Sequence, residues 1–302
     1  MSSDYGRFLS PKLLAKAGSL ELRARLVVEG LLSGQHRSPF QGSSVEFAQH
    51  RPYVQGDDIR KVDWKVLARS NKVYLKQYQE ETNLELVVAV DCSQSMAFGT
   101  VEDGKWTKYD CATSIAAAMA YLAVKQQDSV GLAVFDQTMN RYFRPSSHVG
   151  QWRMIVDELQ AVPRWGGTGF GRSLLQLAEK VVRRSVMLLV SDCFDDVEAI
   201  RQGLMQLRYR KHEVMLLQVM DPAELTFPYD SVTMFKGMEE TGELLVEPRA
   251  LRQAYLKEMQ AHNLELARVC RGMGVEHGLI DSGEPLDVTL SAFLARRLAR
   301  MK

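Results

Sequence analysis

The sequence predicts an α/β protein, a mostly parallel sheet with helices on both faces, preceded by an N-terminal α+β extension. Three observations point there. From residue 84 onward, short apolar runs alternate with stretches of helical periodicity across short turns, the pattern of strands joined by crossover helices. Runs such as Val186-Met187-Leu188-Leu189-Val190 are apolar without alternation, as central strands buried on both faces require. The first 83 residues read differently, with a helical stretch, a Gly/Ser/Pro-rich connection and a segment of alternating polarity. The expected division is therefore 1–83 as an extension packed on the main domain, and 84–302 as the sheet domain with its C-terminal helices.

Taken in order, Pro11–Leu32 carries apolar residues at helical spacing and ends near Gly34. The connection Ser38-Pro39-Phe40-Gln41-Gly42-Ser43-Ser44 follows, and Val73–Tyr78 alternates like a strand with one exposed face. Leu84–Val90 reads as the first sheet strand and Lys108–Lys125 as an Ala-rich helix with small residues on its packing face. Val130–Phe135 is a strand, with Arg141–Phe143 a short partner reached through the Asp136–Asn140 turn. Val149–Ala161 is helical, Gly166-Gly167-Thr168-Gly169 interrupts, and Arg172–Arg183 resumes the helix. Strand Val186–Val190, helix Val197–Arg208, strand Glu213–Val219 and a late strand Val275–Ile280 complete the alternation. Amphipathic helices are expected at Pro248–Arg271 and Pro285–Arg300, the latter with a basic end suited to a helix C-terminus.

At 302 residues, with 46% hydrophobic and 25% charged content, the chain has enough apolar mass for a core without disulfide staples. A net charge of +1 gives no global field toward nucleic acid or anionic lipid. The first 83 residues hold 13 Lys/Arg against 9 Asp/Glu, interspersed as on a solvated surface. The N-terminus lacks the long apolar stretch of a signal peptide, and Ile115–Val124 is shorter than the ~20 residues that cross a bilayer. No membrane anchor and a cytoplasmic location are expected. Cys92, Cys111, Cys193 and Cys270 show no paired or zinc-type spacing, so reduced thiols are expected. Cys92 and Cys193 each follow a candidate site aspartate and read as small buried side chains rather than a redox pair.

The chemistry concentrates at strand ends. Asp91-Cys92-Ser93-Gln94-Ser95 follows an apolar strand and sets a carboxylate and two hydroxyls on alternate residues. Asp192 leaves a second strand, and Thr168 lies in the glycine-rich turn before a helix. Open α/β sheets bind ligands at the C-terminal ends of their strands. Three hydroxyls and two carboxylates suit a hard divalent cation, Mg²⁺ with Mn²⁺ or Ca²⁺ as substitutes. Asp and Ser after a strand also cap helices, so the first motif alone leaves both readings open. The expected metal set is Asp91, Ser93, Ser95, Thr168 and Asp192.

These three loops resemble the metal-ion-dependent adhesion site of von Willebrand factor A-type domains. The resemblance implies that Ser93 and Ser95 ligate directly, Asp91 and Asp192 directly or through water, and Thr168 according to conformational state. The third loop reads Ser191-Asp192-Cys193-Phe194 where Thr-Asp-Gly is commoner. A narrower resemblance spans nearly the whole chain. Phe47-Ala48-Gln49-His50-Arg51-Pro52-Tyr53, Gly56-Asp57-Asp58-Ile59-Arg60, Asp63-Trp64, Ala68-Arg69, Leu245-Val246-Glu247-Pro248-Arg249-Ala250-Leu251 and the Leu286, Phe293-Leu294, Arg296-Arg297 ending resemble a prokaryotic domain family of unknown function. Members of that family contain the A-type domain and resemble partners of MoxR-type AAA+ ATPases.

Catalytic signatures fare worse. Asp57, Asp58, Arg60, Asp63 and Arg69 read as an ion-pair and turn network beside a buried Trp64 rather than an acid/base set. Gly99-x4-Gly104-Lys105 begins like a phosphate loop, but Trp106 stands where a hydroxyl is needed, leaving a mobile surface loop as the expectation. Gly166–Gly171 yields no dinucleotide fingerprint. His36, His50, His148, His212, His262 and His277 form no metal spacing, and neither Ser93 nor Ser95 has an evident base. The expected function is a non-enzymatic, metal-dependent adaptor or co-chaperone of a MoxR-type ATPase, docking a partner carboxylate. The alternative is a Mg²⁺-dependent hydrolase of phosphate esters.

Overall fold

The computed structural model describes residues 10–34, 47–54, 62–70, 73–78, 84–161, 166–236 and 242–300. The chain divides into two compact units, residues 40–84 and residues 1–39 with 85–302. The first helices, expected in the extension, thus belong with the sheet unit.

The expected single helix is two, α1 (Pro11–Lys16) and α2 (Leu20–Gly34). Gly18 and Ser19 break it, and the Ser19 hydroxyl accepts the Leu22 N–H at 3.2 Å, capping the new start. Leu20, Ala24, Val27, Val28 and Leu31 are buried at helical spacing, and α2 packs on three later helices.

The smaller unit pairs β1 (Phe47–Pro52) antiparallel with β2 (Tyr74–Tyr78), with an irregularity between Phe47 and Gln49. Between them α3 (Trp64–Ser70) starts from buried Asp63, whose carboxylate accepts the Val66 N–H at 3.3 Å. Trp64, expected buried, is 60% exposed, because the cap turns Asp63 rather than its neighbour inward. Arg69 is exposed, and Asp57, Asp58 and Arg60 lie outside the described residues.

The larger unit continues with β3 (Glu85–Asp91), α4 (Lys108–Lys125), β4 (Ser129–Phe135), β5 (Met139–Ser146), α5 (Gln151–Gln160), α6 (Phe170–Lys180), β6 (Val186–Ser191), α7 (Val197–Tyr209) and β7 (Glu213–Met220). A short α8 (Pro222–Thr226) leads to the hairpin β8 (Thr233–Lys236) and β9 (Glu243–Val246), then to α9 (Pro248–Gly272), β10 (Glu276–Asp281) and α10 (Leu286–Arg300). The six-stranded sheet runs β10-β7-β6-β3-β4-β5, parallel except for β5 at one edge.

Alternate residues of these strands serve two cores. Val87, Ala89, Met187, Leu189, Val214 and Leu216 pack with α6, α7 and the end of α9 through Leu174, Leu204 and Leu266. The intervening residues turn to the other face, where α4 crosses the sheet and contacts α2 and α5 in turn. Lying between sheet and helices, α4 is buried almost all round; its run of alanines is what permits this close approach. From β3 the chain winds one way to β4 and then returns to place β6 on the other side of β3. The C-terminal ends of β3 and β6 therefore flank the topological switch point, where such sheets open a crevice.

Candidate functional site

Asp91 ends β3 and is 1% exposed. Its Oδ1 accepts the Ser93 N–H at 2.8 Å, and its Oδ2 accepts the Ser191 hydroxyl at 2.6 Å, tying the ends of β3 and β6 together. Burial, reinforced by the charge of Asp192, pushes the Asp91 carboxyl up to about 7. Ser93 is buried, and its hydroxyl lies 3.1 Å from that of Ser95, which belongs to the 3-10 turn Gln94–Ala97.

The glycine-rich loop joins this end of the sheet through its backbone. Ser93 and Gly166 form an isolated parallel bridge, and the Gln94 N–H donates to the Gly166 carbonyl at 2.9 Å. Glycine is needed here for close approach, since a Cβ on Gly169 would come within 2.7 Å of the Gln137 Cα in the β4–β5 turn. Thr168, two residues past the bridge, is half-buried and lines a cavity of 510 Å³ with Gln137, Arg172 and Asp195. All three predicted loops thus reach the same end of the sheet.

Asp192 is fully buried and is held from both sides. Its Oδ1 accepts the Phe194 N–H at 3.2 Å, and its Oδ2 accepts the Lys108 ammonium at 2.8 Å. Lys108 also reaches Glu224 of α8 at 2.6 Å and lies 4.6 Å from the centre of the Phe194 ring. Although burial opposes its charge, the carboxylates of Asp192 and Glu224 hold this ammonium above the usual lysine range. The network continues outward: Glu224 accepts the Asp221 N–H at 2.9 Å, and Asp221 accepts the Thr100 N–H at 2.8 Å. Sequence reasoning missed Lys108 and Glu224. One signal was present, because a lysine in the first turn of a helix opposes the helix dipole and needs local acids.

The neighbouring features are structural. Cys92 and Cys193 are free and buried, with burial pushing the Cys92 thiol up to about 12 and the Cys193 thiol well above its ordinary value. The segment expected as a mobile loop is anchored: Trp106 is fully buried, bridges to Val101 and donates its indole N–H to the Ser282 carbonyl at 3.0 Å. Its failure to match a phosphate loop has a packing reason. Among the described residues no group of three or more His, Cys, Asp or Glu side chains gathers around a metal position, so any cation here depends on the hydroxyls. None of the described helices is long and apolar enough to cross a membrane.

These elements define a mixed α/β protein with a polar site at the switch point of its sheet. The chain belongs to the DUF58 family of proteins of unknown function, whose pattern matches residues 49–265. It is 27% identical over 269 residues to uncharacterized proteins of Mycobacterium bovis and Mycobacterium tuberculosis, covering 87% of this chain and 83% of theirs. Among solved structures it is similar to the conserved hypothetical protein BatB from Bacteroides thetaiotaomicron, at 16% identity and a TM-score of 0.46, over 72% of this chain and 99% of that one. An aerotolerance-related membrane protein from Bacteroides fragilis aligns at 16% identity and a TM-score of 0.44, over 72% and 100%.

Proposed function

We propose that this protein is a von Willebrand factor A-like interaction module whose switch-point loops hold a divalent cation, Mg²⁺ first among candidates, and that it docks a partner carboxylate there. The observation that carries this reading is the meeting of Asp91, Ser93 and Ser95 with the Gly166–Gly169 and Ser191–Asp192 loops at one end of the sheet, through the Asp91–Ser191 hydrogen bond and the Ser93–Gly166 bridge. The donor chemistry fits the ion. Two buried carboxylates repel one another across the site, and a divalent charge between them relieves that cost. Ser93 and Ser95 present paired hydroxyl oxygens, the hard neutral ligands that Mg²⁺ accepts. A cation with neutral hydroxyls in its shell retains positive charge for an incoming carboxylate.

The same contacts favour docking over catalysis. Each oxygen of Asp91 and of Asp192 already accepts a hydrogen bond from the protein, which restrains both groups from acting as a mobile base. We take the partner to be a MoxR-type AAA+ ATPase or its client, and the setting to be cytoplasmic. The test is capture of the ATPase by the full chain in Mg²⁺ and in EDTA, with Asp91→Ala beside wild type. Capture requires Mg²⁺ and fails with Asp91→Ala while circular dichroism stays unchanged. Undiminished capture in EDTA overturns the mechanism.

A further inference from the structure

Strand β10 ends the sheet, and among the described residues no strand pairs with its outer edge. Its side chains divide between the faces. Gly278 turns toward α10, where a Cβ would meet the Phe293 ring at 2.8 Å. His277 turns the other way, toward α9, where its ring meets Gln218, which in turn bonds Asn263 at 2.8 Å. On that side a cavity of 700 Å³ opens between α9 and β10, walled by Leu256, Met259, Leu264 and Leu279. Leu264 is 68% exposed and Leu279 44%. Arg296 of α10, on the opposite face, also lines the cavity, so the opening reaches round the edge of the sheet.

The charges along this edge are ordered. Helix α10 runs back beside β10, since Arg297 bonds Glu276 at the start of the strand at 3.2 Å. Arg296 therefore lies beside the first half of β10, and Glu284 lies in the turn just beyond its end. Neither has an ion-pair partner among the described residues: the Arg296 Nε donates only to the Ala292 carbonyl of its own helix, at 3.3 Å. The cavity lining contains no acidic residue. Six strand residues span about 17–20 Å, and the ten-residue step from Leu286 to Arg296 covers about 15 Å of helix. The two unpaired charges are thus separated by roughly the length of the strand.

A two-fold axis through the edge, near Leu279, would run β10 antiparallel to its copy and bring Arg296 to the partner's Glu284, twice. It would also place the partner's Leu279 beside Leu279, closing the apolar seam. We infer that the β10 edge is a self-association surface and that the occupant of its groove is a second copy of this chain, joining two sheets into one. Such an interface is isologous, and it covers an edge that would otherwise template indiscriminate pairing. The inference is independent of the metal site.

Sedimentation velocity on the full chain in EDTA tests it across the micromolar range. Wild type dimerises; Leu279→Lys raises the dissociation constant by about tenfold or more, because it sets two ammonium groups against each other in the apolar seam. Arg296→Glu and Glu284→Arg, each alone, weaken the dimer by about as much through like-charge pairs. Mixing those two variants in equal amounts restores the dimer to within about threefold of wild type, because both pairs then join opposite charges. All three positions are solvent-facing, and circular dichroism checks that each variant is folded. A wild-type monomer throughout the range overturns the inference, as does a mixture no tighter than its components.

Discussion

Lys108 shows how much one side chain can fix. A lysine with no exposed surface is tolerable only with charge partners, and Asp192 and Glu224 supply them at 2.8 and 2.6 Å. The ammonium thereby ties a strand-end loop of the candidate site to α8. Removing it leaves two carboxylates facing each other in a desolvated pocket, so Lys108→Met costs about 3–5 kcal/mol of stability although it preserves bulk. Urea denaturation measures this through the midpoint at constant slope. Adding Glu224→Gln to Lys108→Met recovers part of the loss by removing one orphaned charge. A cost below about 1 kcal/mol in Lys108→Met would show that the triad is not a desolvated one. The sequence displayed Asp192 because it ends an apolar run. It concealed Lys108, whose partners lie 84 and 116 residues away.

At the scale of elements, the strands and helices of the larger unit were legible because their apolar pattern was continuous. Lys108–Lys125 and Val186–Val190 hardly moved between expectation and structure. Elements without a strong period escaped: β1, α3 and the β8–β9 hairpin are short, and their pairing comes from tertiary packing rather than from local sequence. Glycines inside helices carried a message that periodicity did not. In α7, a Cβ on Gly203 would lie 2.5 Å from Leu174 Cβ and 2.9 Å from the Gly171 carbonyl, so α6 and α7 touch backbone to backbone. Gly203→Val therefore forces the helices apart and destabilises by about 1–3 kcal/mol or more. Gly272, at the end of α9, has open space around it, and Gly272→Ala stabilises by about 0.4–1 kcal/mol. Thermal melts of the two variants should move in opposite directions. A Gly203→Val protein that melts with wild type would mean that α6 and α7 are not in this close register.

For the whole molecule, the winding order decides where chemistry can occur. The sequence placed Asp91 and Asp192 at strand ends, but their adjacency follows from β6 returning to the far side of β3, a fact of topology that no local pattern encodes. Once adjacent, the two acids carry a cost that the core must outweigh: burial first, and the charge of Asp192 second, raise the Asp91 carboxyl. A cation bound there stabilises the folded state alone, because the unfolded chain scatters Asp91, Ser93, Ser95, Thr168 and Asp192. At a free Mg²⁺ concentration about one hundred times its dissociation constant, linkage gives about 2.7 kcal/mol. For a domain of this size each kcal/mol moves the melting temperature by about 2–4 °C, so a rise of roughly 5–10 °C is expected. Asp91→Ala relieves this cost, takes the acceptor from the Ser93 N–H and the Ser191 hydroxyl and removes a proposed ligand, so without Mg²⁺ it should melt no lower than a conservative core variant, and it should gain nothing from Mg²⁺. Differential scanning calorimetry with EDTA and with a Mg²⁺ titration separates these effects. A wild-type melting temperature indifferent to Mg²⁺, Mn²⁺ and Ca²⁺ alike would reduce the switch-point loops to a purely structural network closed by Lys108.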